Sequence, residues 1–225
     1  MKKILVVVDM QNDFIDGVLG TPEAVSIVDK VVEKIRGEEW DYIYYTMDTH
    51  FVNTYSETQE GKKLPIKHCF RLSDGWMLNL DVIAAIDNCA SYEKIEKQPF
   101  GSLDLAYAID YLNSCDDFEV PIQEIELTLV GVCTDICVIS NALLLKAHYP
   151  EMKIVVDASC CAGSTPEKHR MALEVMKSCQ VDVVNDEEDR NWVIVVNFAE
   201  KMTHPGYILS ADELRMVIPI EESEE

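Results

Sequence analysis

The stretch KKILVVVD, residues 2–9, decides the fold of this chain. Two lysines lead into a run of aliphatic side chains, and the run ends in an aspartate. A continuous, largely β-branched run predicts a strand that is buried on both faces, as in a parallel sheet. Asp9 lies where that strand ends, a costly place for a carboxylate that lacks a partner.

The same pattern recurs along the chain, with stretches of helical spacing in between. Further strands are predicted at DYIYYTMDTH, SYEKIEK, EIELTLVGV, MKIVVDAS and VDVVN. The first predicted helix has Thr21 as its N-cap, Pro22 at its first position and Gly37 as its stop. Alternating strands and helices with right-handed crossovers predict an α/β fold, a three-layer α/β/α sandwich with a mainly parallel central sheet.

Length and composition fit one globular domain. The chain has 225 residues, of which 48% are hydrophobic, enough for a sizeable core. We expect residues 1–186 to form that domain and residues 187–225 to form a C-terminal extension that packs on it, with a flexible acidic tail at residues 221–225. The segment NWVIVVNFAEKM within the extension is compatible with either a strand or a helix.

Acidic residues dominate the charge, with 41 Asp and Glu against 19 Lys and Arg and a formal net charge of −22. Nucleic acids and anionic membrane surfaces repel such a chain, so we expect neither as a partner. The N-terminal apolar run is too short for a signal peptide, and no stretch approaches the roughly 20 apolar residues of a membrane span. We therefore expect a cytoplasmic protein whose eight cysteines are free thiols.

Chemically competent side chains follow four of the predicted strands. In an open parallel sheet the ligand crevice lies beyond the carboxyl ends of the strands, so these groups can converge there. They are Asp9 after the first strand, Asp48 and His50 after the second, Lys97 after the third, and the CTDIC turn after the fourth. An ammonium at Lys97 between Asp9 and a thiol would favour both anions. An ordinary surface lysine is the alternative.

The turn GVCTDICV, residues 131–138, holds two cysteines, and position distinguishes them. Cys133 lies at the last turn of a strand, where its side chain can point into the core. Cys137 lies in the first helical turn, where the helix dipole and free backbone N–H groups should lower the pKa of a thiol. Asp9 would then be the general base that faces this thiol. The alternative is that both cysteines are small buried hydrophobic residues.

A second group of residues spans the segment DTHFVNTYSETQEGKKLPIKH, most of which is predicted to be a long loop. Asp48 and His50 lie two apart on a strand and therefore share one face. Glu57, Glu60 and His68 follow on the loop. Imidazoles and carboxylates suit Zn²⁺, Fe²⁺ or Mn²⁺ as a site for a divalent metal. Loop histidines with ordinary hydrogen-bond partners are the alternative.

Three motifs of this chain resemble those of the isochorismatase-like cysteine hydrolases, most closely the nicotinamidase/pyrazinamidase branch. They are VVVDMQNDF with a following glycine, K-x-x-F-x-S and G-V-x-T-D-x-C-V, and the resemblance runs from about residue 3 to residue 185. It implies an α/β fold of Rossmann-like topology and an enzyme that releases ammonia from a small carboxamide, with nicotinamide the best candidate. An N-carbamoyl or ureido substrate, or a non-catalytic metal- or ligand-binding role, are the alternatives.

The resemblance also implies roles for individual residues. It implies a catalytic triad of Asp9, Lys97 and Cys137, in which the cysteine of the T-D-x-C motif is the nucleophile. It further implies a cis peptide bond between Val132 and Cys133, which aims backbone N–H groups at the oxyanion. In this chain those groups belong to Cys133 and Cys137.

For the metal, the resemblance implies a divalent ion, with Zn²⁺ as the first candidate and Fe²⁺ or Mn²⁺ as alternatives. Asp48, His50 and His68 match the family's ligands. Glu60 fits the spacing of the fourth ligand better than Glu57, and a water could take its place.

On the substrate side, Phe14 matches one of the two aromatic residues that enclose the substrate ring in the nicotinamidase branch. The position of the second is Pro65 in this chain. Trp76 and Tyr55 are the candidates to replace it, and ordinary packing is the alternative for both. Family members often associate, so the resemblance also implies a homo-oligomer. The expected partner is a small-molecule amide.

Overall fold

One parallel sheet organises the part of the chain that the structure, a computed structural model, describes, namely residues 1–115 and 118–186. Its strands are β1 (Lys2–Val8), β2 (Tyr42–Asp48), β3 (Tyr92–Lys97), β4 (Ile125–Val132), β5 (Lys153–Ala162) and β6 (Asp182–Val184). Their order across the sheet is β3-β2-β1-β4-β5-β6, and each neighbouring pair is parallel. The predicted fold class is confirmed, with strands that are all parallel to one another.

Helices cover both faces of this sheet. They are α1 (Asn12–Ile15), α2 (Pro22–Ser26), α3 (Val28–Gly37), α4 (Gln59–Lys63), α5 (Leu80–Ile86), α6 (Leu103–Asn113), α7 (Ile139–His148) and α8 (Pro166–Ser178). Helices α6, α7 and α8 bury side chains against one face, and α2, α3 and α5 bury theirs against the other. The sheet is thus the middle layer of a three-layer α/β/α sandwich.

Strand β1 shows why its sequence is apolar at nearly every position. Ile4, Val6 and Val8 belong to the core on one face of the sheet, whereas Leu5 and Val7 belong to the core on the other. All five side chains are fully buried. Successive side chains of a strand point to opposite faces, so a strand that is covered on both sides needs an apolar residue at each position.

The strand order reverses between β1 and β4, which opens a crevice at the carboxyl ends of these two strands. Gly131 on β4 allows the two strands to approach closely at this point. Its φ is +117°, and a Cβ atom there would lie 2.1 Å from the carbonyl oxygen of Val8. The residue that follows β1, Asp9, and the turn that follows β4 therefore meet at the same crevice.

Two predicted helices differ in detail from those observed. The helix predicted to start after Thr21 is divided at Ile27, whose side chain is buried in the core between α2 and α3. The helix predicted after β4 starts with a π-helical turn, Thr134–Val138, before it continues as α7. In that turn the N–H of Val138 donates to the carbonyl of Cys133, so the nucleophile candidate lies on a wider turn than expected.

The segment after β2 is more structured than the long loop predicted for residues 51–77. It contains a 3₁₀ turn, Tyr55–Glu57, followed by the short helix α4. The side chain of Thr58 caps α4 by accepting the N–H of Gly61 at 2.9 Å. These short elements give Glu60 a defined position. The sequence of this segment has no periodicity and therefore did not predict either element.

The predicted C-terminal extension, residues 187–225, lies outside the described residues, together with its expected packing and flexible tail. Met1–Asn185 form one compact unit. No helix in residues 1–115 and 118–186 is long and apolar enough to cross a bilayer. All eight cysteines are free thiols, as predicted.

Candidate active site

Three side chains from three parts of the chain meet at the crevice. The ammonium Nζ of Lys97 lies 2.7 Å from Oδ2 of Asp9 and 3.5 Å from Sγ of Cys137. All three residues are buried, with exposed fractions of 0% for Asp9, 4% for Lys97 and 6% for Cys137. The structure thus brings together the predicted catalytic triad, and the catalytic role of each member stays a prediction.

Asp9 is held in place by β2. Its φ is +48°, in the left-handed region that residues other than glycine rarely adopt. The hydroxyl of Thr46 donates to Oδ1 of Asp9 at 2.7 Å, and the N–H of Asp9 donates to the carbonyl of Thr46 at 3.2 Å. One carboxylate oxygen is therefore anchored to the sheet while the other faces Lys97.

Lys97 carries its positive charge in spite of its burial. Burial alone would lower the pKa of its ammonium, but the charges of Asp9, Cys137 and Asp48 outweigh burial and raise that pKa above its usual range. A buried ammonium with anionic partners stays protonated at neutral pH. Lys97 can therefore stabilise negative charge on the carboxylate and on the sulfur at the same time.

Cys137 does not have the lowered pKa that its place at a helix start predicts. Burial raises the pKa of its thiol well above the ordinary value, the charge of Asp9 raises it further, and Lys97 opposes both. Loss of hydration around the sulfur and the charge of Asp9 dominate, so the expectation that the helix start lowers this pKa is wrong. Cys137 is instead a buried thiol beside the carboxylate of Asp9, which suits removal of its proton by that carboxylate.

The other cysteine of the turn, Cys133, has different surroundings. The peptide bond between Val132 and Cys133 is cis. The side chain of Cys133 is partly buried, and burial together with the charge of Asp135 raises the pKa of its thiol to about 12. Of the two sulfurs, it is that of Cys137 which contacts the ammonium of Lys97. The role of the backbone N–H groups of this turn as oxyanion donors stays a prediction.

Four side chains form a second cluster beside the triad, and they are those predicted to bind metal. His50 Nε2 lies 3.0 Å from Oδ2 of Asp48 and 3.5 Å from Oε1 of Glu60. His68 Nε2 lies 3.4 Å from each of the same two oxygens. Ligands ~2.1 Å from a tetrahedral ion lie ~3.4 Å from one another, so these spacings match a zinc site. Glu57, the alternative fourth ligand, is exposed to solvent.

The chemistry of this donor set fits a cation. Among the described residues, Oδ1 of Asp48 is a buried polar atom without a hydrogen-bond partner. Burial would lower the pKa of His68, but Asp48 and Glu60 outweigh it and raise that pKa to about 10. Nδ1 of His68 lies 2.8 Å from the carbonyl of Ile66, which leaves Nε2 for the cluster. A divalent metal would replace the protons that these carboxylates otherwise draw onto the two imidazoles.

We call the four side chains of Asp48, His50, Glu60 and His68 the metal cluster. Buried hydrogen bonds from the VVVDMQNDF motif hold it in place. The fully buried side chain of Gln11 accepts the N–H of Asp48 at 2.8 Å and donates to its carbonyl at 2.9 Å. The carboxylate of Asp13 accepts the N–H of Cys69, which follows His68, at 2.7 Å. The sequence singled out this motif but did not reveal these contacts, because the partners are 37 and 56 residues away.

Sequence reasoning also missed Asn141. Its fully buried amide donates to the carbonyls of Cys137 at 2.8 Å and Phe100 at 3.1 Å, and accepts the N–H of Ser102 at 3.0 Å. It thereby fixes the turn that holds Cys137 against the segment that follows Lys97. The available signal is a polar residue four positions after Cys137, on the helix face that is otherwise buried.

A cavity of about 660 Å³ gives the triad and the metal cluster a common opening. Its lining includes Cys137, His68 and Phe14, so sulfur, metal ligands and one aromatic ring face the same space. The ring centroids of Phe14 and His68 are 5.7 Å apart. The arrangement can hold a small molecule between a potential metal ion and a potential nucleophile.

Ordinary packing, rather than a place in the cavity, describes both candidates for the second aromatic residue. Trp76 is buried with its indole N–H donated to the hydroxyl of Thr49, and the hydroxyl of Tyr55 donates to the carbonyl of Leu64. Neither ring is among the described residues that line the cavity, whereas Phe100 is. Phe100 belongs to the K-x-x-F-x-S motif and lies three residues after Lys97, which ends the third strand.

Known proteins share this architecture. The family model described as the isochorismatase domain matches residues 3–188. The structure of nicotinamidase/pyrazinamidase PncA from Bacillus subtilis is 26% identical with a TM-score of 0.66, and the match covers 81% of this chain and 99% of that one. The pyrazinamidase of Pyrococcus horikoshii, solved in complex with zinc, is 26% identical with a TM-score of 0.64, covering 82% of this chain and 99% of its own.

A third structure represents a different substrate. The N-carbamoylsarcosine amidase from Thermoplasma acidophilum is 26% identical with a TM-score of 0.57, and the match covers 81% of this chain and 95% of that one. The three solved structures are thus equally identical to this chain in sequence, although their names indicate two kinds of amide substrate.

Proposed function

The chain belongs to the isochorismatase family, and from that premise we propose that it releases ammonia from a small carboxamide through a cysteine nucleophile. It is a hydrolase that acts on carbon–nitrogen bonds. Nicotinamide, converted to nicotinate for pyridine-nucleotide synthesis, is the best candidate substrate, because two similar structures are named for nicotinamidase or pyrazinamidase activity. The observation that carries the proposal is the buried ammonium of Lys97 between Oδ2 of Asp9 at 2.7 Å and Sγ of Cys137 at 3.5 Å.

The first half of the reaction forms a thioester. Asp9 takes the proton of the Cys137 thiol, whose raised pKa makes a neighbouring base necessary. Lys97 stabilises the thiolate as it forms, and the sulfur attacks the carbonyl carbon of the amide. The backbone N–H groups of Cys133 and Cys137 stabilise the oxyanion, with a typical contribution of ~3 kcal/mol per donor in acyl-transfer enzymes. Asp9 then gives its proton to the leaving nitrogen, and ammonia departs.

The second half regenerates the thiol. Asp9, again ionised, takes a proton from water, and the resulting hydroxide attacks the thioester carbon. Cleavage of the carbon–sulfur bond releases the carboxylic acid, and the proton returns to the sulfur. One carboxylate thus serves twice as base and twice as acid, while Lys97 keeps its charge throughout. Full burial of Asp9 and its bond to Thr46 keep this carboxylate at a fixed position through all four transfers.

Asp48, His50, Glu60 and His68 would hold a divalent metal, with Zn²⁺ as the first candidate. When bound, the ion supplies a Lewis acid to which a ring nitrogen of the substrate can bind. The two carboxylates neutralise the charge of such an ion. Phe14, next to His68 in the cavity, offers an apolar face to an aromatic substrate ring.

The partner classes are also part of this proposal. We infer a small-molecule substrate rather than a nucleic acid or an anionic membrane, because the net charge of −22 repels both. We further infer a homo-oligomer, from the tendency of related hydrolases to associate. Light scattering of the purified full chain measures this directly, and a monomer at micromolar concentration would contradict the inference.

Ammonia release by the metal-loaded full chain tests the main proposal. Nicotinamide and pyrazinamide should yield ammonia and the matching acid, and mass spectrometry of quenched samples should show an acyl group on Cys137. Cys137→Ala should abolish turnover. The matched control is Cys179→Ala, an exposed cysteine at the end of α8 that should leave the rate unchanged. Ammonia release that survives Cys137→Ala would contradict the cysteine mechanism.

An N-carbamoyl substrate is the second candidate, favoured by the similarity to the amidase from Thermoplasma acidophilum. The products separate the two candidates. Hydrolysis of a carboxamide gives ammonia and a carboxylic acid, whereas hydrolysis of an N-carbamoyl group gives ammonia, carbon dioxide and an amine. Carbon dioxide release that depends on Cys137, without turnover of carboxamides, would replace the first candidate by the second.

A further inference from the structure

The cavity is larger than a single pyridine carboxamide requires. Its volume of about 660 Å³ falls within the roughly 300–1,000 Å³ of sites that enclose drug-sized ligands. The groups used by the proposed chemistry lie at its base, where Asp48, His68 and Cys137 are almost fully buried. A small aromatic amide that reaches this base leaves the outer part of the cavity to solvent.

The outer part has an apolar lining. Five side chains, which we call the outer wall, form it: Leu19, Leu64, Pro99, Phe100 and Ile136. None of the five is fully buried, and Phe100 is 45% exposed. Partly exposed apolar side chains that surround one opening are typical of a surface that a ligand covers.

Charged groups at the opening do not make the outer part of the cavity selective for an anionic substituent. Lys63 and Lys168 also line the cavity, and both are exposed. Neither forms an ion pair with a residue that the structure describes. A solvent-exposed ammonium adds little to binding, and a carboxylate placed against the outer wall would lose its hydration without a buried partner. The wall therefore favours an uncharged substituent over an anionic one.

We propose that the preferred substrate is a carboxamide whose ring carries an extended apolar substituent, which the outer wall covers. This inference rests on the proposed function, because the amide itself must reach Cys137. Each buried methylene should increase kcat/KM about three- to fourfold. A three-carbon chain that is fully covered by the wall should therefore raise kcat/KM by at least about tenfold.

A substrate series on the unaltered, metal-loaded full chain tests this. Nicotinamide is compared with its 5-propyl and 6-propyl derivatives and with the 5- and 6-carboxyethyl derivatives of equal length. We expect at least one propyl compound to exceed nicotinamide about tenfold in kcat/KM, with the matching carboxyethyl compound below it. If nicotinamide is cleaved but both propyl compounds are slower, or a carboxyethyl compound is faster, the inference is overturned and the proposed function stands. If no member of the series is cleaved, the proposed function itself fails.

A variant that fills the outer cavity gives a second measurement. Leu64→Trp should reduce the ratio of kcat/KM between the better propyl compound and nicotinamide about tenfold, because the indole occupies the space of the chain. The matched control is Leu80→Trp, on an exposed position of α5 outside the cavity lining, which should leave that ratio unchanged. Leu19→Trp repeats the test from another part of the wall. A ratio that both wall variants leave unchanged would contradict the inference.

Discussion

The triad and the metal cluster open into one cavity, but the chain positions them by different means. Lys97 ends β3 and Asp9 follows β1, so the register of three parallel strands sets the distance between them. Glu60 and His68 instead belong to the irregular segment between β2 and α5. Side-chain hydrogen bonds hold that segment, for example the bond that the carboxylate of Asp13 accepts from the N–H of Cys69. A change in one region should therefore leave the other largely intact, and this separation can be tested.

The largest effect is expected from Asp9→Asn. It removes the group that carries each proton between sulfur, nitrogen and water, and turnover should fall by ~10⁴. It also removes a negative charge beside Cys137, so the pKa of that thiol should fall toward its ordinary value, and the thiolate formed would pair with Lys97. Alkylation of Cys137 by iodoacetamide at pH 7 should accordingly become faster, although the enzyme is inactive.

The metal cluster provides the check on this variant. Affinity for zinc, measured by competition with a chelator, should change by no more than a few-fold in Asp9→Asn. Asp16→Asn, at an exposed acid a few residues further on, serves as the charge-matched control for both measurements. Slower alkylation, or loss of metal together with turnover, would show that the two regions do not behave separately.

The second effect, smaller in turnover, is expected from His68→Ala. Removal of a residue that only hydrogen-bonds to a metal ligand already weakens metal binding, so loss of one of the four ligands should weaken it at least ~100-fold. The rate of Cys137 alkylation should remain that of the unaltered protein, because the triad is held by the sheet. His148→Ala is the control, since His148 lies at the exposed end of α7 and pairs with Asp110. A changed rate of Cys137 alkylation in His68→Ala but not in His148→Ala would contradict the comparison.

The same division explains what the sequence could predict. Asp9 and Asp48 follow apolar runs and Lys97 ends the stretch SYEKIEK, all three of which predict parallel strands, and such strands end at one edge of a sheet. Their convergence is therefore a consequence of periodicity. Glu60 could be favoured only through the resemblance to a family, because its position depends on a 3₁₀ turn and on α4, which have no periodic signal.

Properties that depend on tertiary packing were not predictable. The pKa of Cys137 was expected to be low because only its place at a helix start was visible, whereas burial beside Asp9 raises it. From the sequence, Trp76 and Tyr55 fit either an aromatic wall of the cavity or ordinary packing. Their polar atoms are bonded to Thr49 and to the carbonyl of Leu64, and neither residue is among those that line the cavity.

A moderate effect is expected from Asp13→Ala, which removes a contact rather than a ligand. Without the acceptor for the N–H of Cys69, the neighbouring His68 loses its fixed position, and metal affinity should fall ~10–100-fold. Asp13→Asn keeps an oxygen acceptor and should restore most of that affinity. Asp74→Ala, at an exposed acid between β2 and α5, is the control. Gly75→Ala should resemble Asp13→Ala, because a Cβ there would lie 2.2 Å from the Asp13 carboxyl group.

The smallest effect is expected from Cys133→Ala, at the turn where the two regions meet. The proposed oxyanion donor of this residue is its backbone N–H, which alanine keeps, so kcat/KM should change by no more than about threefold. Its thiol has a pKa raised to about 12 by burial and Asp135, so it is protonated at neutral pH and is a poor nucleophile.

Cys133→Ala and Cys137→Ala each remove one sulfur atom, and both residues lie on a single turn of the chain. A difference of several orders of magnitude between their turnover rates would assign the reaction to the sulfur that contacts Lys97. Comparable losses would mean that removal of either sulfur disturbs the turn as a whole. The assignment of the nucleophile would then have to come from the acyl-enzyme, whose modified residue mass spectrometry identifies directly.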